Sequence, residues 1–274
     1  MTRIAVLQMT SGIDPEANYA CIADAAGKAA DEGASTMFTP EMSVLLDRDR
    51  KRAAEWIEGE GAREAVERLE TIAVQTGTTL AIGSVPLPSG DADGRWANRS
   101  LYVTPDEGLV ASYDKMHMFD VELASGESWR ESAAYRPGSE VVTVEDTPLG
   151  RLGLTICYDL RFPALFGALG DRRCDAIAVP AAFTRPTGAA HWHVLLRARA
   201  IEASAYVIAA AQVDKHQDGR ETYGHSLVVD PWGEVLLDMG GDEAGLGFAD
   251  IDLARIAEAR SQVPSLANRR EVAT

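Results

Sequence analysis

A cysteine lies where a buried strand turns toward a helix. Residues 151–156 read as a strand, Cys157 follows at once, and Pro163 has the fixed φ and missing N–H that suit the first turn of a helix. Such a bend directs the thiol away from its own backbone, and amide groups at a helix start stabilise a thiolate and an oxyanion. Most unpaired cysteines are small buried hydrophobic residues. This pattern alone therefore predicts equally well that Cys157 is a nucleophile or that it is a residue of the core.

Two charged residues could complete a catalytic set. A cysteine nucleophile needs a proton acceptor and a group that stabilises negative charge on the substrate oxygen. Glu41 follows the predicted strand at residues 35–40, and Lys115 follows the one at residues 108–113. Alone, Glu41 could be a helix N-terminal charge and Lys115 an exposed surface residue. Because the strand ends of α/β sheets assemble sites, the presence of Glu, Lys and Cys at three strand ends favours catalysis.

The elements that must position these residues follow an α/β pattern. Strands are expected at residues 3–9, 35–40, 79–85, 151–156 and 206–212, and helices at residues 16–32, 62–76 and 191–204, the last after a loop at residues 184–190. The turns Pro105-Asp-Glu-Gly108 and Asp230-Pro-Trp-Gly233 predict antiparallel hairpins. Mixed strand directions suggest two packed sheets covered by helices, in a single domain over residues 1–274 without linkers or internal repeats.

Composition excludes several classes of function. The 274 residues include 42 acidic and 26 basic side chains, a net charge of −16, which argues against nucleic acid as a partner. No apolar run approaches the ~18 residues of a membrane span, so we expect no membrane role. Cys21, Cys157 and Cys174 cannot all pair, and residues 1–9 lack the pattern of a signal peptide, which predicts a cytoplasmic location.

Three sequence blocks resemble the signatures of the carbon-nitrogen hydrolase, or nitrilase, superfamily. They are Phe38-Thr-Pro-Glu41, Tyr113-Asp-Lys115 and Gly153-Leu-Thr-Ile-Cys157-Tyr-Asp-Leu-Arg-Phe-Pro163, in matching order and similar spacing. The likeness covers nearly the whole chain. Residues 181–192, 195–202 and 223–233 are similar to the amidase branch that holds deaminated glutathione amidase and omega-amidase, and residues 209–212 and 223–225 favour the former.

The resemblance implies a fold, a reaction and an assembly. The fold is a four-layer α-β-β-α sandwich with two mixed central sheets. Glu41 accepts the thiol proton while Cys157 attacks a small primary amide, and Lys115 with the Tyr158 backbone stabilises the oxyanion. Ammonia leaves, and water hydrolyses a thioester to the acid. Glu131 fits the family's second glutamate and would orient Lys115 or the substrate. No cofactor is implied, and members commonly form homodimers or higher homo-oligomers through helices beside the nucleophile.

Specificity is harder to read from the residues. The expected substrate carries a carboxylate, for which Arg161 is the first candidate and Arg185 and Arg173 are weaker ones. A structural ion pair of Arg161 with Asp159 or another acid is an equal alternative. Two positions depart from the family pattern. Thr39 replaces an aliphatic residue, and His193 replaces a frequent glutamate in a region expected near the substrate.

Other functions compete with this interpretation. The same groups could serve an omega-amidase acting on α-keto acid amides, an N-carbamoyl amino acid amidohydrolase or a nitrilase, and a catalytically silent scaffold is the non-enzymatic alternative. His117, His191, His216 and His225 have no recognised zinc spacing, so we expect no metal and assign them hydrogen-bonding roles.

Overall fold

Two six-stranded sheets lie face to face between layers of helices in the computed structural model, which describes residues 1–122 and 128–270. In chain order the described elements are β1 (Thr2–Gln8), α1 (Pro15–Asp31), β2 (Thr36–Phe38), α2 (Arg50–Ile57), α3 (Glu60–Thr76), β3 (Thr79–Pro88), β4 (Trp96–Thr104), β5 (Gly108–Asp114), β6 (Asp120–Glu122), β7 (Ser128–Arg130), β8 (Thr143–Thr147), β9 (Gly150–Leu154), α4 (Pro163–Asp171), β10 (Ala176–Ala178), α5 (Arg185–Ala203), β11 (Tyr206–Ala209), β12 (Val213–Lys215), β13 (Glu221–Tyr223), β14 (Leu227–Val229), β15 (Val235–Asp238), β16 (Gly245–Ile251), α6 (Leu253–Gln262) and α7 (Ser265–Asn268). Short 3-10 turns span Glu131–Ala133 and Cys157–Arg161.

The two sheets share one pairing pattern. The first has the strand order β16-β1-β2-β3-β4-β5 and the second, taken from its other edge, β8-β9-β10-β11-β14-β15. In both, the first pair is antiparallel, the next two pairs are parallel and the last two are antiparallel. The predicted four-layer sandwich with mixed sheets is therefore confirmed, as are both antiparallel hairpins. The amino-acid sequence contains no internal repeat from which this shared pattern of strand pairing could be predicted.

Successive side chains of a strand point to opposite faces of its sheet, and here both faces are covered. On β1, Ile4 and Val6 join the core that reaches the second sheet, whereas Ala5 and Leu7 pack with helices α1 and α3. The second sheet is covered in turn by α4 and α5. This double burial fixes the strand register and so fixes which residues stand at the strand ends.

The loop expected at residues 184–190 is wrong, because helix α5 begins at Arg185. A proline in the first turn of a helix loses nothing by lacking an N–H, so Pro186 fits there. Three expected strands are also too long: β2 ends at Phe38, β9 at Leu154 and β11 at Ala209. Beyond the end of β9 the chain still runs beside the segment that follows β10, because the Cys157 N–H donates to Pro180 O at 2.8 Å.

The single domain over residues 1–274 stays a prediction, and residues 271–274 lie outside the described part of the chain. Among the described helices, none combines the length and apolar character needed to cross a membrane.

Helix α3 offers a direct test of the layer arrangement. Leu69 is fully buried between α3 and the first sheet, whereas Val74 on the same helix is 62% exposed. We expect Leu69→Ala to lower the free energy of unfolding by about 2–5 kcal/mol and the control Val74→Ala to change it by about 0.5 kcal/mol or less, measured by urea unfolding. Equal losses for the two variants would contradict the position of α3 on the sheet.

Candidate active site

The structure brings Glu41, Lys115 and Cys157 together at the ends of β2, β5 and β9. Lys115 Nζ lies 2.8 Å from Glu41 Oε1, and the negative charge of the Glu41 carboxylate helps to raise the pKa of the Cys157 thiol. All three residues are buried, with exposed fractions of 2%, 5% and 8% for Lys115, Glu41 and Cys157. Residues that are far apart in the chain thus form one cluster of carboxylate, ammonium and thiol.

Glu131 belongs to the same cluster. Its carboxylate oxygens lie 3.0 and 2.9 Å from Lys115 Nζ, so the ammonium sits between two carboxylates. The N–H of Phe119 donates to Glu131 Oε2 at 2.6 Å. Glu131, the residue expected to be the second glutamate, is therefore held in place by both Lys115 and the Phe119 N–H.

Asn98, on β4, joins the two carboxylates. Its Nδ2 donates to Glu41 Oε1 at 2.9 Å and to Glu131 Oε1 at 3.1 Å, and its side chain is fully buried. The N–H of Ala182 donates to the other Glu41 oxygen, Oε2, at 3.0 Å. These donors satisfy carboxylate oxygens that would otherwise be buried at a cost of several kcal/mol.

Neither Asn98 nor Ala182 was found from the sequence. Asn98 left a weak signal, because it is a polar residue inside an otherwise mostly apolar strand, where a buried amide needs partners. Ala182 left none, because it contributes only its backbone N–H, which every residue but proline carries.

The electrostatic balance determines which group carries the proton. Burial raises the pKa of Glu41, but the Lys115 ammonium and hydrogen bonds from Cys157, Lys115 and Asn98 outweigh it and lower that pKa below its usual value. Burial lowers the pKa of Lys115, whereas Glu131 and Glu41 raise it well above normal. Burial and the Glu41 charge raise the pKa of Cys157 well above normal, against the opposing Lys115. The resting cluster therefore holds a carboxylate, an ammonium and a protonated thiol.

Cys157 occupies a strained turn. Its φ of 49° is in the left-handed region, which L-residues other than Gly, Asn and Asp rarely adopt. The buried Asp159 holds this turn, because its carboxylate accepts from Ile156 N–H at 2.9 Å and from Tyr113 Oη at 2.7 Å. It also accepts from the N–H of His117 at 3.0 Å, which ties the segment around Lys115 to the segment around Cys157.

Thr39 forms hydrogen bonds that hold the backbone just before Glu41. Its hydroxyl accepts from Gly83 N–H at 3.0 Å and lies 3.0 Å from Ser43 Oγ. At Gly83 the two sheets approach so closely that an added Cβ would lie 2.2 Å from Thr39 O and 2.4 Å from Pro180 Cβ. The backbone contact that only glycine allows therefore fixes the chain just before Glu41.

The cluster forms the floor of a cavity of about 600 Å³. Tyr158 lines it and contacts Phe119 edge-on, with ring centroids 5.1 Å apart. Arg161 also lines it, donates to His191 Nδ1 at 3.2 Å and stands over the Phe183 ring at 5.2 Å. The alternative pairing of Arg161 with Asp159 is wrong, because Asp159 is already saturated by donors from its own turn, Tyr113 and His117.

Other candidate residues lie elsewhere. Arg185, Arg173 and His193 are not among the described residues that line the cavity, and Arg185 instead faces Glu221 at 3.7 Å. The expectation that His193 lies near the substrate is therefore wrong: it is on a face of α5 that contacts Asp238, whose Oδ2 is 3.0 Å from its Nε2.

Each of the five histidines has a hydrogen-bond partner. His117 contacts Asp159, His191 contacts Arg161, and His216 contacts Ser11 O and Thr222 Oγ1 at 2.8 Å each. His225, His193 and Asp238 place their ligand atoms within 4.8 Å of one another, a spacing that a metal ion could use. Each imidazole is already hydrogen-bonded to the carboxylate, so the cluster is satisfied as it stands.

Comparisons with known proteins identify a family and several similar proteins. A family model described as carbon-nitrogen hydrolase matches residues 3–261. A deaminated glutathione amidase from Yersinia enterocolitica is 39% identical over 275 residues, covering 99% of this chain and 94% of the relative. The NitFhit protein of C. elegans superposes with a TM-score of 0.91 at 35% identity, covering 98% of this chain, which spans 65% of that protein.

A third comparison concerns the cysteine. A mutant of the amidase from Nesterenkonia sp. AN1 has a TM-score of 0.80 and 26% identity, with coverage of 98% of this chain and 94% of that one. Its structure shows covalent addition of the acetamide moiety of fluoroacetamide at the active-site cysteine of that amidase.

The Asn98 contacts predict a change in pH dependence. Without its hydrogen bond the Glu41 pKa rises, so in Asn98→Ala the acidic limb of kcat/KM should move to higher pH and the plateau should fall about tenfold. Ser100→Ala is the control, because Ser100 is buried on the same strand but bonds Ile82 O. A pH profile of Asn98→Ala that parallels that of Ser100→Ala would limit Asn98 to a packing role.

Proposed function

The chain belongs to the carbon-nitrogen hydrolase family, which makes it an amidase, and we propose that it hydrolyses a carboxylate-bearing amide through a thioester on Cys157. The physiological reaction is most similar to that of a deaminated glutathione amidase. One observation carries the proposal: Lys115 Nζ lies 2.8 Å from the Glu41 carboxylate, and both side chains line one cavity with Cys157.

In the first step Glu41 acts as the base. Because the Glu41 pKa is lowered and the Cys157 pKa is raised, the thiol keeps its proton until the sulfur attacks the amide carbon. The proton then moves to Glu41, the C–S bond forms, and the carbonyl π electrons move to the oxygen. Lys115 and the backbone N–H of Tyr158 stabilise that oxyanion.

Collapse of the tetrahedral intermediate completes acylation. The C–N bond breaks, Glu41 returns its proton to the leaving nitrogen, and a thioester remains. A primary amide releases ammonia, whereas a secondary amide such as deaminated glutathione releases an amine. In the second half-reaction Glu41 takes a proton from water, the hydroxide adds to the thioester, and the carboxylic acid leaves as the thiol is reprotonated.

Glu131 is a positioning residue in this scheme. Both of its oxygens bond Lys115 Nζ, which fixes the ammonium where an oxyanion would form, while the donor from Phe119 fixes Glu131 itself. A lysine without this partner would carry a flexible charge that loses entropy whenever it binds the oxyanion.

Arg161 is the proposed partner of a substrate carboxylate. It lines the cavity, and its planar fork matches a carboxylate in two-point contact. Its contacts with His191 and Phe183 hold the guanidinium in place without neutralising it. A cavity of about 600 Å³ also accommodates an extended substrate, which favours deaminated glutathione over the smaller amides of an omega-amidase, N-carbamoyl compounds and nitriles.

We further propose a homodimer in a reducing cytoplasm. Val194 and Ile201, seven positions apart on α5, are 69% and 50% exposed, an apolar stripe that a second copy would cover. The three cysteines are unpaired in the structure, as a reducing compartment would keep them.

Cysteine replacement tests the reaction. We expect Cys157→Ala to abolish acid formation from deaminated glutathione, α-ketoglutaramate, N-carbamoyl amino acids and nitriles, measured by liquid chromatography and mass spectrometry, because no other group forms the thioester. Cys174→Ala is the control, since Cys174 is buried away from the cavity. Acid formation by Cys157→Ala near the wild-type rate would disprove the thioester route, and a wild type inactive on the whole panel would favour the scaffold alternative.

Arginine replacement tests specificity. Arg161→Met keeps the length of the side chain but removes its charge, so KM for deaminated glutathione should rise about tenfold with a smaller change in kcat. Steady-state kinetics provide the measurement. An unchanged KM would remove Arg161 as the carboxylate partner.

A further inference from the structure

Two imidazoles and a carboxylate meet where helix α5 packs against the second sheet. His193 lies on α5, His225 lies between β13 and β14, and Asp238 is the last residue of β15. One ring nitrogen of each histidine and one carboxylate oxygen of Asp238 lie within 4.8 Å of one another. These three residues are not among the described ones that line the cavity around Cys157. The cluster therefore lies outside the site of amide hydrolysis.

The contacts within the cluster have the lengths expected between neighbouring ligands of one metal ion. His193 Nε2 lies 3.0 Å from Asp238 Oδ2, and His225 Nδ1 lies 2.9 Å from Asp238 Oδ1. Metal bonds of about 2.0–2.2 Å at angles of about 90–110° place two ligand atoms about 2.9–3.4 Å apart. The two imidazole planes meet at 72°, so their nitrogens can approach one ion from different directions. Side-chain shifts of less than about 1 Å would bring all three residues around one cation.

The chemistry of these ligands suits a transition-metal ion such as Zn²⁺. In the structure each imidazole is hydrogen-bonded to Asp238. A neutral imidazole can carry its proton on the other ring nitrogen, which frees the nitrogen that faces the carboxylate for a metal bond. The cation then replaces two hydrogen bonds, and the Asp238 charge offsets part of its own. Mg²⁺ and Ca²⁺ fit less well, because they prefer oxygen ligands.

Contacts around the cluster fix two of the three ligands in place. The N–H of His225 donates to Gly240 O at 2.7 Å, and its carbonyl oxygen accepts from Trp192 Nε1 at 2.8 Å. The His225 ring stacks on Tyr223 with ring centroids 4.5 Å apart. Asp238 Oδ1 also accepts from the N–H of Gly240 at 3.0 Å. Because these side chains are already ordered, binding an ion costs little additional conformational entropy.

An ion can reach the cluster from solvent. The side chains of His193 and Asp238 are each 34% exposed, and that of His225 is 25% exposed. Water can therefore complete the coordination shell beside the three protein ligands. The net charge of −16 on the chain also favours cations near its surface.

We propose that His193, His225 and Asp238 bind a Zn²⁺ ion that links helix α5 to β15 at the edge of the second sheet. The lack of a zinc spacing among the histidines does not bear on this site, because its ligands come from three separate elements. The role of the ion is structural. It holds α5, which begins directly after the cavity residues Phe183 and Thr184, against the sheet.

Isothermal titration with ZnCl₂ tests the site. Cys157→Ala is used so that the catalytic thiol cannot bind the metal. We expect one Zn²⁺ ion per chain, and an affinity at least about tenfold lower when His193→Ala is added, because a ligand is lost. Adding His191→Ala instead is the control and should leave the affinity unchanged, since His191 is exposed on the same helix and contacts Arg161. No binding of Zn²⁺ to Cys157→Ala, or equal affinity with and without His193→Ala, overturns the proposal.

Thermal unfolding tests the structural role. At a Zn²⁺ concentration about 100-fold above Kd, the Tm of Cys157→Ala should be about 5 °C or more higher than in EDTA. Mg²⁺ at the same concentration should not raise it, and adding His193→Ala or Asp238→Asn should remove the Zn²⁺ effect. A Tm that does not respond to Zn²⁺, or a rise that persists in both variants, contradicts the proposal. Because Cys157→Ala forms no thioester, the outcome is independent of the proposed amidase reaction.

Discussion

A buried ammonium held between two carboxylates is the interaction on which the site depends. Lys115 bonds the buried Glu41 at 2.8 Å and the partly buried Glu131 at 2.9 Å. Charges are costly to bury unless each is paired and hydrogen-bonded, and here Asn98, Ala182 and Phe119 provide the remaining donors. The result is a carboxylate that stays charged beside a thiol that stays protonated.

The fold supplies this arrangement by repeating one strand pattern in two sheets and facing them against each other. Glu41 and Lys115 come from the first sheet, whereas Cys157 and the Ala182 amide come from the second. Contacts across the interface then set the distances. Asp159 links the turn of Cys157 to Tyr113 and His117 beside Lys115, and Gly83 permits the close approach that fixes the backbone near Glu41. Geometry of this kind requires both sheets to be complete before the cluster exists.

The sequence predicted what local patterns encode. Alternating elements indicated an α/β sandwich, and the three strand ends placed Glu41, Lys115 and Cys157 at one edge. Prediction from the sequence failed for residues whose roles are set by contacts with distant parts of the chain. The saturation of Asp159 by Tyr113 and His117 and the contact of His193 with Asp238 depend on partners distant in the chain. The start of α5 at Arg185 was missed for a different reason, because the local signal of Pro186 in the first turn was assigned to a loop. The Asn98 amide and the Ala182 backbone N–H acquire their roles only when the sheets meet.

The titration of Cys157 tests the central claim most directly. Thiolate absorbance in the ultraviolet, taken as the difference between the wild type and Cys157→Ser, isolates this thiol from the other two cysteines. We expect the Cys157 thiolate to appear only above pH 9.0, the ordinary value, and at lower pH in Glu41→Gln, where the neighbouring negative charge is gone but Lys115 remains. A wild-type thiolate at neutral pH, or a Cys157 pKa that does not fall in Glu41→Gln, would contradict the account.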